Sequence, residues 1–192
     1  MLSVADKKLL LRIARDTIAG LVTGKPTAPP QVESAALQAP CGCFVSLHNA
    51  GDLRGCIGTF SARTPLVQTV RQMASAVLRD PRFQGEPVTA GELPELDIEI
   101  SVLSPLEKTK DPLKEIELGR HGICIEGPMG SGCFLPQVAT ETGWTKEEFL
   151  THCAGGKAGM PPDAWTWPEV TVYRFEAEVF GEHDSRDAES GT

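Results

Sequence analysis

Two strand-like runs joined by a four-residue turn constrain this sequence more than any other feature. Residues 42–48 and 53–60 are rich in aliphatic, aromatic and other strand-forming side chains. Between them, Asn49-Ala50-Gly51-Asp52 supplies the residue types that tight turns require. The pattern predicts an antiparallel hairpin, and therefore a sheet at the centre of the fold.

The second run of this hairpin has an unusual composition for a strand. Strict alternation of side chains places Arg54, Cys56 and Gly58 on one face of residues 53–60 and Gly55 on the other. Two glycines in eight residues weaken a strand, and such glycines mark a bulge or a point where another group approaches the backbone closely. Arg54 and Cys56 are about 6.6 Å apart by strand rise, so the guanidinium would favour a thiolate if both residues line a cleft.

The rest of the chain mixes helical and strand-like patterns without a regular βαβ repeat. Helices are predicted over 3–22 with Ser3 as cap, from a Thr64 cap to Asp80, from Pro136, and from Thr145 to about Cys153. Strands are predicted over 95–103, 122–126, 132–135 and 170–180, and a connection with a short helical turn over 26–40. This mixture predicts an α+β fold in which helices pack on a mixed or antiparallel sheet.

Composition and charge narrow the class of protein. The 192 residues are 41% hydrophobic and 23% charged, which is ordinary for a globular chain. The net charge of -8 and the lack of a basic stripe argue against a nucleic-acid partner. No apolar run is long enough to cross a membrane and no signal peptide is evident, so we expect a cytoplasmic protein.

Six cysteines raise the question of a metal. The only tight pair, Cys41 and Cys43, lacks the C-x-x-C spacing and a second pair at a matching distance. Most of the cysteines are therefore expected to be small buried hydrophobic residues, with no metal and no cofactor bound.

The segment Leu53-Arg54-Gly55-Cys56-Ile57-Gly58-Thr59-Phe60 resembles the signature of the AMMECR family, also called protein A of the AmmeMemoRadiSam system. Segments at 42–47, 80–83, 99–104, 121–122, 134–139 and 173–180 resemble family segments in the same order. The resemblance covers nearly the whole chain up to about residue 181.

The resemblance implies a single domain over residues 1–181 with two lobes, followed by a disordered acidic tail over residues 182–192. The larger lobe would hold both termini, and the signature would lie in a cleft between the lobes. Members similar to this chain are encoded near a Memo-like protein and a radical SAM protein, which implies these two as possible partners.

Cys56 is the first candidate for chemistry, as a nucleophile or an acid–base group. The resemblance adds His121 as a possible base, and Glu99 lies on the polar face of its predicted strand, where it could orient or share a proton with either residue. The residues expected to bind a ligand are Arg54, Gly55, Gly58, Asp80 and Arg82. Two arginines and glycine-exposed backbone N–H groups suit a carboxylate or phosphate.

Each of these assignments has a structural alternative. Cys56 could be a packed core residue, His121 could satisfy a backbone group, and Arg54, Asp80 and Arg82 could form an ion-pair cluster that ties a helix to the sheet. Two functions follow. One is an enzyme that acts on a small polar metabolite or modified amino acid. The other is a non-catalytic adaptor that docks to a Memo-like or radical SAM protein and accepts a peptide or product in the cleft.

Overall fold

The computed structural model describes residues 2–28, 30–60 and 63–183, and the chain divides into two compact units. The first unit comprises residues up to Val102 together with those from Glu178 onwards, and the second comprises Leu103–Ala177. The larger unit therefore contains the first and the last of the described residues, Leu2 and His183. Of the acidic tail predicted over 182–192, residues 184–192 lie outside the described residues.

The first unit places helices on one face of an antiparallel sheet. Its elements are, in chain order, α1 (Val4–Thr23), α2 (Ala35–Gln38), β1 (Cys43–Asn49), β2 (Asp52–Thr59), α3 (Leu66–Ala76) and β3 (Leu96–Leu103). Strand β1 pairs antiparallel with β2 on one side and with β3 on the other. The predicted hairpin is thus confirmed, with Ala50 and Gly51 at positive φ in its turn.

The core of the first unit lies between this sheet and the two longer helices. The inward face of the sheet presents Val45, Leu47, Ile98 and Ile100, all fully buried. From α1 come Leu10, Ala14 and Ile18, and from α3 come Leu66, Val70 and Ala74. Period-2 spacing in the strands and 3.6-residue spacing in the helices bring these side chains onto facing surfaces.

The second unit has its own core, and its strands pair with one another. Its elements are β4 (Glu107–Lys108), α4 (Pro112–Glu115), β5 (His121–Gly127), β6 (Gly130–Phe134), α5 (Pro136–Thr142), α6 (Lys146–His152) and β7 (Thr171–Gly181), whose last four residues belong to the first unit. Strand β5 pairs antiparallel with β6 and β7, and β4 pairs with β7. Ile123, Ile125 and Phe149 anchor the buried cluster of this unit.

The α+β fold predicted from the sequence is confirmed, with antiparallel pairing in both units and flanking helices. Within the part of the chain that the structure describes, no helix is long and apolar enough to cross a membrane.

Helix starts follow the capping rules at two of the three predicted sites. Ser3 and Asp6 form a capping box at α1, and Thr145 and Glu148 form one at α6. The prediction that Thr64 caps α3 is wrong, because Pro65 is the capping position and makes no side-chain bond there. The Thr64 hydroxyl instead lies 3.1 Å from that of Thr69.

The strict alternation predicted along β2 is interrupted. His48 lies opposite Leu53, but Leu47 lies opposite Gly55, so Arg54 is an extra residue in the ladder. The alternation that was expected to place Arg54 on the same face as Cys56 therefore does not hold between these two residues. This irregularity also shifts every later pair of the hairpin by one position.

The glycine at position 58 is explained by packing. It lies directly opposite Phe44 in the ladder, and a Cβ atom built on it would lie 2.3 Å from the Phe44 ring. The Phe44 ring also meets Phe60 edge to face, with centroids 5.0 Å apart. The glycines of β2 predicted that another group approaches its backbone closely. At Gly58 that group is the Phe44 ring of β1.

We predict that Gly58→Ala destabilises the protein by about 1–3 kcal/mol, because the new methyl group must displace the Phe44 ring. Urea denaturation of both proteins measures the difference. Gly85→Ala is the matched control, since a Cβ atom at Gly85 meets nothing within 4 Å. The new methyl group would also lie 2.6 Å from the Cys43 carbonyl oxygen, which cannot move without the backbone. Equal stability of the two alanine variants would contradict this explanation.

Candidate functional site

Three side chains of the first unit form a row across its sheet. Ser46 in β1 lies opposite Cys56 in β2 and opposite Glu99 in β3. Directly paired residues of antiparallel strands project their side chains to the same face. Cys56, Ser46 and Glu99 therefore share the face opposite to the apolar core, and this row is the centre of the candidate site.

Ser46 is the residue that the sequence analysis missed. Its side chain is buried, and its hydroxyl donates a hydrogen bond to the sulfur of Cys56 at 3.2 Å. The sulfur of Cys56 therefore has a hydrogen-bond donor from β1 beside it. Cys56 itself is only partly buried, so the thiol combines access with a fixed donor.

An ion pair holds the backbone of Cys56 from the outer side of β2. The Cys56 N–H donates to Asp80 Oδ2 at 2.9 Å, and Arg82 Nη2 donates to the Cys56 carbonyl at 3.1 Å. Arg82 and Asp80 bind each other at 2.6 Å. Because both backbone groups point away from β1, Cys56 and Ser46 form a non-hydrogen-bonded pair, the type in which facing side chains lie closest.

The contacts of this ion pair shift the pKa values of both of its members. Hydrogen bonds from the Arg82 side chain, and then from the Cys56 and Arg82 backbone, lower the pKa of Asp80 from 3.8 to about 2, against an opposing effect of burial. The pKa of Arg82 is raised, first by its hydrogen bond to Asp80, against an opposing effect of burial. Arg82 is also the arginine that contacts Cys56, through the Cys56 carbonyl.

Arg54 has other partners. Its guanidinium donates to Glu92 at 3.1 Å and to the backbone carbonyl of Glu86 at 3.1 Å. Both arginines thus form ion pairs, as the structural alternative expected. They form two separate pairs and not one cluster: Arg54 with Glu92, and Arg82 with Asp80. The Asp80 pair joins β2 to the residues that follow α3.

The two candidate glycines have close structural neighbours. A Cβ atom at Gly55 would lie 2.9 Å from Val77 Cγ2, and one at Gly58 would meet the Phe44 ring. Their ligand-binding roles stay predictions.

The surroundings of other cysteines are different from those of Cys56. Burial raises the pKa of the Cys43 thiol to about 12 and also raises that of Cys153. Such thiols are protonated at neutral pH and inert. In the part of the chain that the structure describes, no group of three or more His, Cys, Asp or Glu side chains could hold a metal ion.

His121 belongs to the second unit, at the start of β5. It is 5% exposed, and its Nδ1 accepts a hydrogen bond from the Glu117 N–H at 3.0 Å. Desolvation, followed by the charges of Arg174 and Arg120, lowers the pKa of the imidazole. His121 is therefore a neutral histidine protonated on Nε2, and it lines a polar cavity of about 530 Å³ in this unit.

The lowered pKa of Asp80 predicts how the stability of the fold depends on pH. Its carboxylate stabilises the fold fully above pH 3.8, and this contribution is lost as the pH falls through about 2. We expect Asp80→Asn to lower the free energy of unfolding at pH 7 by about 2 kcal/mol, and the gap from the wild type to shrink below about pH 4. Urea denaturation over a pH series measures both effects.

The control for this experiment is Glu141→Gln, which removes a carboxylate from an exposed position of α5. It should change stability little at any pH. An Asp80→Asn variant that is as stable as the control at pH 7 would contradict the role given to the ion pair.

Comparisons with known proteins agree on one family. The AMMECR1 family model matches residues 11–180. A protein of Thermococcus gammatolerans is 41% identical over 93% of this chain and 91% of its own length. A protein of Methanocaldococcus jannaschii is 38% identical over 97% of this chain and 94% of its own.

A solved structure shares the fold. The crystal structure of an uncharacterised protein from Pyrococcus horikoshii superposes with a TM-score of 0.80 at 40% identity, covering 90% of this chain and 89% of that one. The match of the family model over most of the chain, together with relatives near 40% identity, leads to one conclusion: this chain belongs to the AMMECR1 family.

Proposed function

We propose that the protein is an enzyme that acts on a small polar metabolite or modified amino acid, with Cys56 as the nucleophile. The observation that carries this proposal is the hydrogen bond from the buried Ser46 hydroxyl to the Cys56 sulfur. A core cysteine needs no such donor, whereas a nucleophilic thiolate is stabilised by one. The partial exposure of Cys56 supports the same assignment.

Arg82 is the proposed anchor for the substrate. Its side chain is 54% exposed even though it binds Asp80 and the Cys56 carbonyl. Those bonds use Nε and Nη2, and Nη1 makes no hydrogen bond to any residue that the structure describes. The guanidinium therefore retains donors for an anion, and a carboxylate is the planar group that it pairs with best. This favours a substrate that carries a carboxylate.

Glu99 is the proposed proton acceptor. It lies on the far side of Ser46 from Cys56 in the same row. A hydroxyl both donates and accepts, so a proton that leaves the Cys56 thiol can pass to Ser46 while the Ser46 proton passes to Glu99. After this transfer, Ser46 donates to the thiolate sulfur, and the direction of the Ser46–Cys56 hydrogen bond supports this step.

The proposed chemical step is then a nucleophilic attack. The thiolate electron pair of Cys56 forms a bond to an electrophilic carbon of the bound substrate, and the leaving group departs with the electron pair of the broken bond. Arg82 fixes the substrate carboxylate beside the thiol, so the attack takes place within one complex.

Alkylation with two closely similar reagents tests this proposal. We expect iodoacetamide to label Cys56 faster than the other five cysteines near neutral pH. Iodoacetate carries a carboxylate in place of the amide, so the ratio of iodoacetate to iodoacetamide labelling should be higher at Cys56 than at Cys41, the partly buried control. Site-resolved mass spectrometry of timed samples measures both ratios.

Three variants assign the effect to individual residues. Ser46→Ala should slow both reagents at Cys56 about tenfold, because a hydrogen bond to a charged group is worth at least ~1.5 kcal/mol. Arg82→Gln should bring the reagent ratio at Cys56 down to that of Cys41, and Arg82→Lys should retain part of the preference. Labelling of Cys56 no faster than of Cys41 would contradict the nucleophile and favour a binding role without turnover.

A further inference from the structure

The hairpin of β5 and β6 brings two cysteines directly opposite each other. Cys124 in β5 is the ladder partner of Cys133 in β6, and the pairing continues without a shift to Gly127 and Gly130, which flank the two-residue turn. The residues that flank such a turn exchange hydrogen bonds, and the pairs then alternate along the ladder. Counting back from the turn, Cys124 and Cys133 form a non-hydrogen-bonded pair.

This type of pair suits a disulfide. Its Cα atoms lie about 4.5 Å apart and its side chains are closer than in the other type. A disulfide requires Cα atoms about 4.4–6.8 Å apart with Cβ atoms that face each other. The two cysteines also lie on the same face, opposite to the face on which Ile123 and Ile125 enter the core. The strands therefore already hold the thiols within the range that the bond needs.

The two thiols interact with each other. A hydrogen bond from Cys133 lowers the pKa of Cys124, against an opposing effect of burial, and the same bond raises the pKa of Cys133. When one of the two thiol protons has been lost, the two sulfurs therefore share the proton that remains. Cys124 is 3% exposed, whereas Cys133 is only partly buried. Cys133 on β6 is thus the more accessible of the two residues, and Cys124 on β5 is the buried one.

We propose that Cys124 and Cys133 form a redox-active dithiol site that is oxidised to a disulfide by small-molecule disulfides of the glutathione class. This site is independent of the function proposed for Cys56, since it lies on other strands and needs neither Ser46 nor Arg82.

The reaction proceeds in two exchange steps. The Cys133 thiolate, formed when the shared proton moves to Cys124, attacks one sulfur of the oxidant, and the other sulfur leaves as a thiolate and takes up a proton. Cys124 then loses its proton and attacks the Cys133 sulfur of the mixed disulfide, which releases the second thiol. In total, the protein loses two protons and two electrons, and the oxidant gains them as two thiols.

The test uses the full chain, oxidised glutathione and mass spectrometry. In the wild type, one intramolecular disulfide should join Cys124 and Cys133, with no stable glutathione adduct at Cys133; glutathione bound to Cys56 is counted separately. Cleavage after Glu126 separates the two cysteines, so the disulfide appears as two linked peptides that part on reduction. Reduced glutathione in excess should restore both thiols.

Single variants distinguish this pair from general thiol oxidation. Cys124→Ser should leave glutathione trapped on Cys133, because no second thiol resolves the mixed disulfide. Cys133→Ser should leave Cys124 unmodified, because the accessible thiol is gone. Cys56→Ser should form the disulfide as the wild type does, which keeps this test separate from that of the proposed function. A wild type that keeps glutathione on Cys133, or that links other cysteines instead, would overturn the proposal.

Discussion

The ion pair of Asp80 and Arg82 is the interaction on which the candidate site depends. Strand β2 pairs with β1 on one side only within the first unit, so the outward N–H and C=O of Cys56 need partners from elsewhere. Asp80 accepts from one and Arg82 donates to the other. The pair thus takes the place of a neighbouring strand at this position and fixes the backbone from which the thiol projects.

The same arrangement links stability to chemistry. Arg82 neutralises a carboxylate whose side chain is 1% exposed, and its own side chain is 54% exposed. A buried carboxylate without this partner would be costly, so the arginine is held in place by the needs of the fold. A guanidinium that is held and still reaches solvent is suited to bind an anion beside the thiol, because little side-chain freedom is lost on binding. On our account, the fold therefore positions the ligand-binding group.

The sequence predicts those features of the fold and the site that depend on local patterns, and not those that depend on tertiary packing. The capping boxes of α1 and α6, the hairpin and the α+β fold follow from local patterns, and they were predicted correctly.

Ser46 could not be paired with Cys56 in this way. Counting from the Asn49–Asp52 turn without an irregularity places Val45 opposite Cys56, and only the extra residue at Arg54 brings Ser46 there. The bulge depends on tertiary packing, which no local pattern specifies. The β5–β6 hairpin has no such shift, but counting from the predicted strand ends, Glu126 and Gly132, would place Phe134 opposite Cys124. The turn is shorter than predicted, because Gly127 and Gly130 also pair, and this brings Cys133 opposite Cys124.

The proposed function requires that the Cys56 thiol and the Arg82 guanidinium meet at one ligand site on the first unit. The most direct measurement is a crystal structure of the protein after treatment with iodoacetate. We expect a carboxymethyl group on the sulfur of Cys56, with its carboxylate bound by the side chain of Arg82. An unmodified Cys56, or a carboxymethyl group whose carboxylate makes no contact with Arg82, would contradict it.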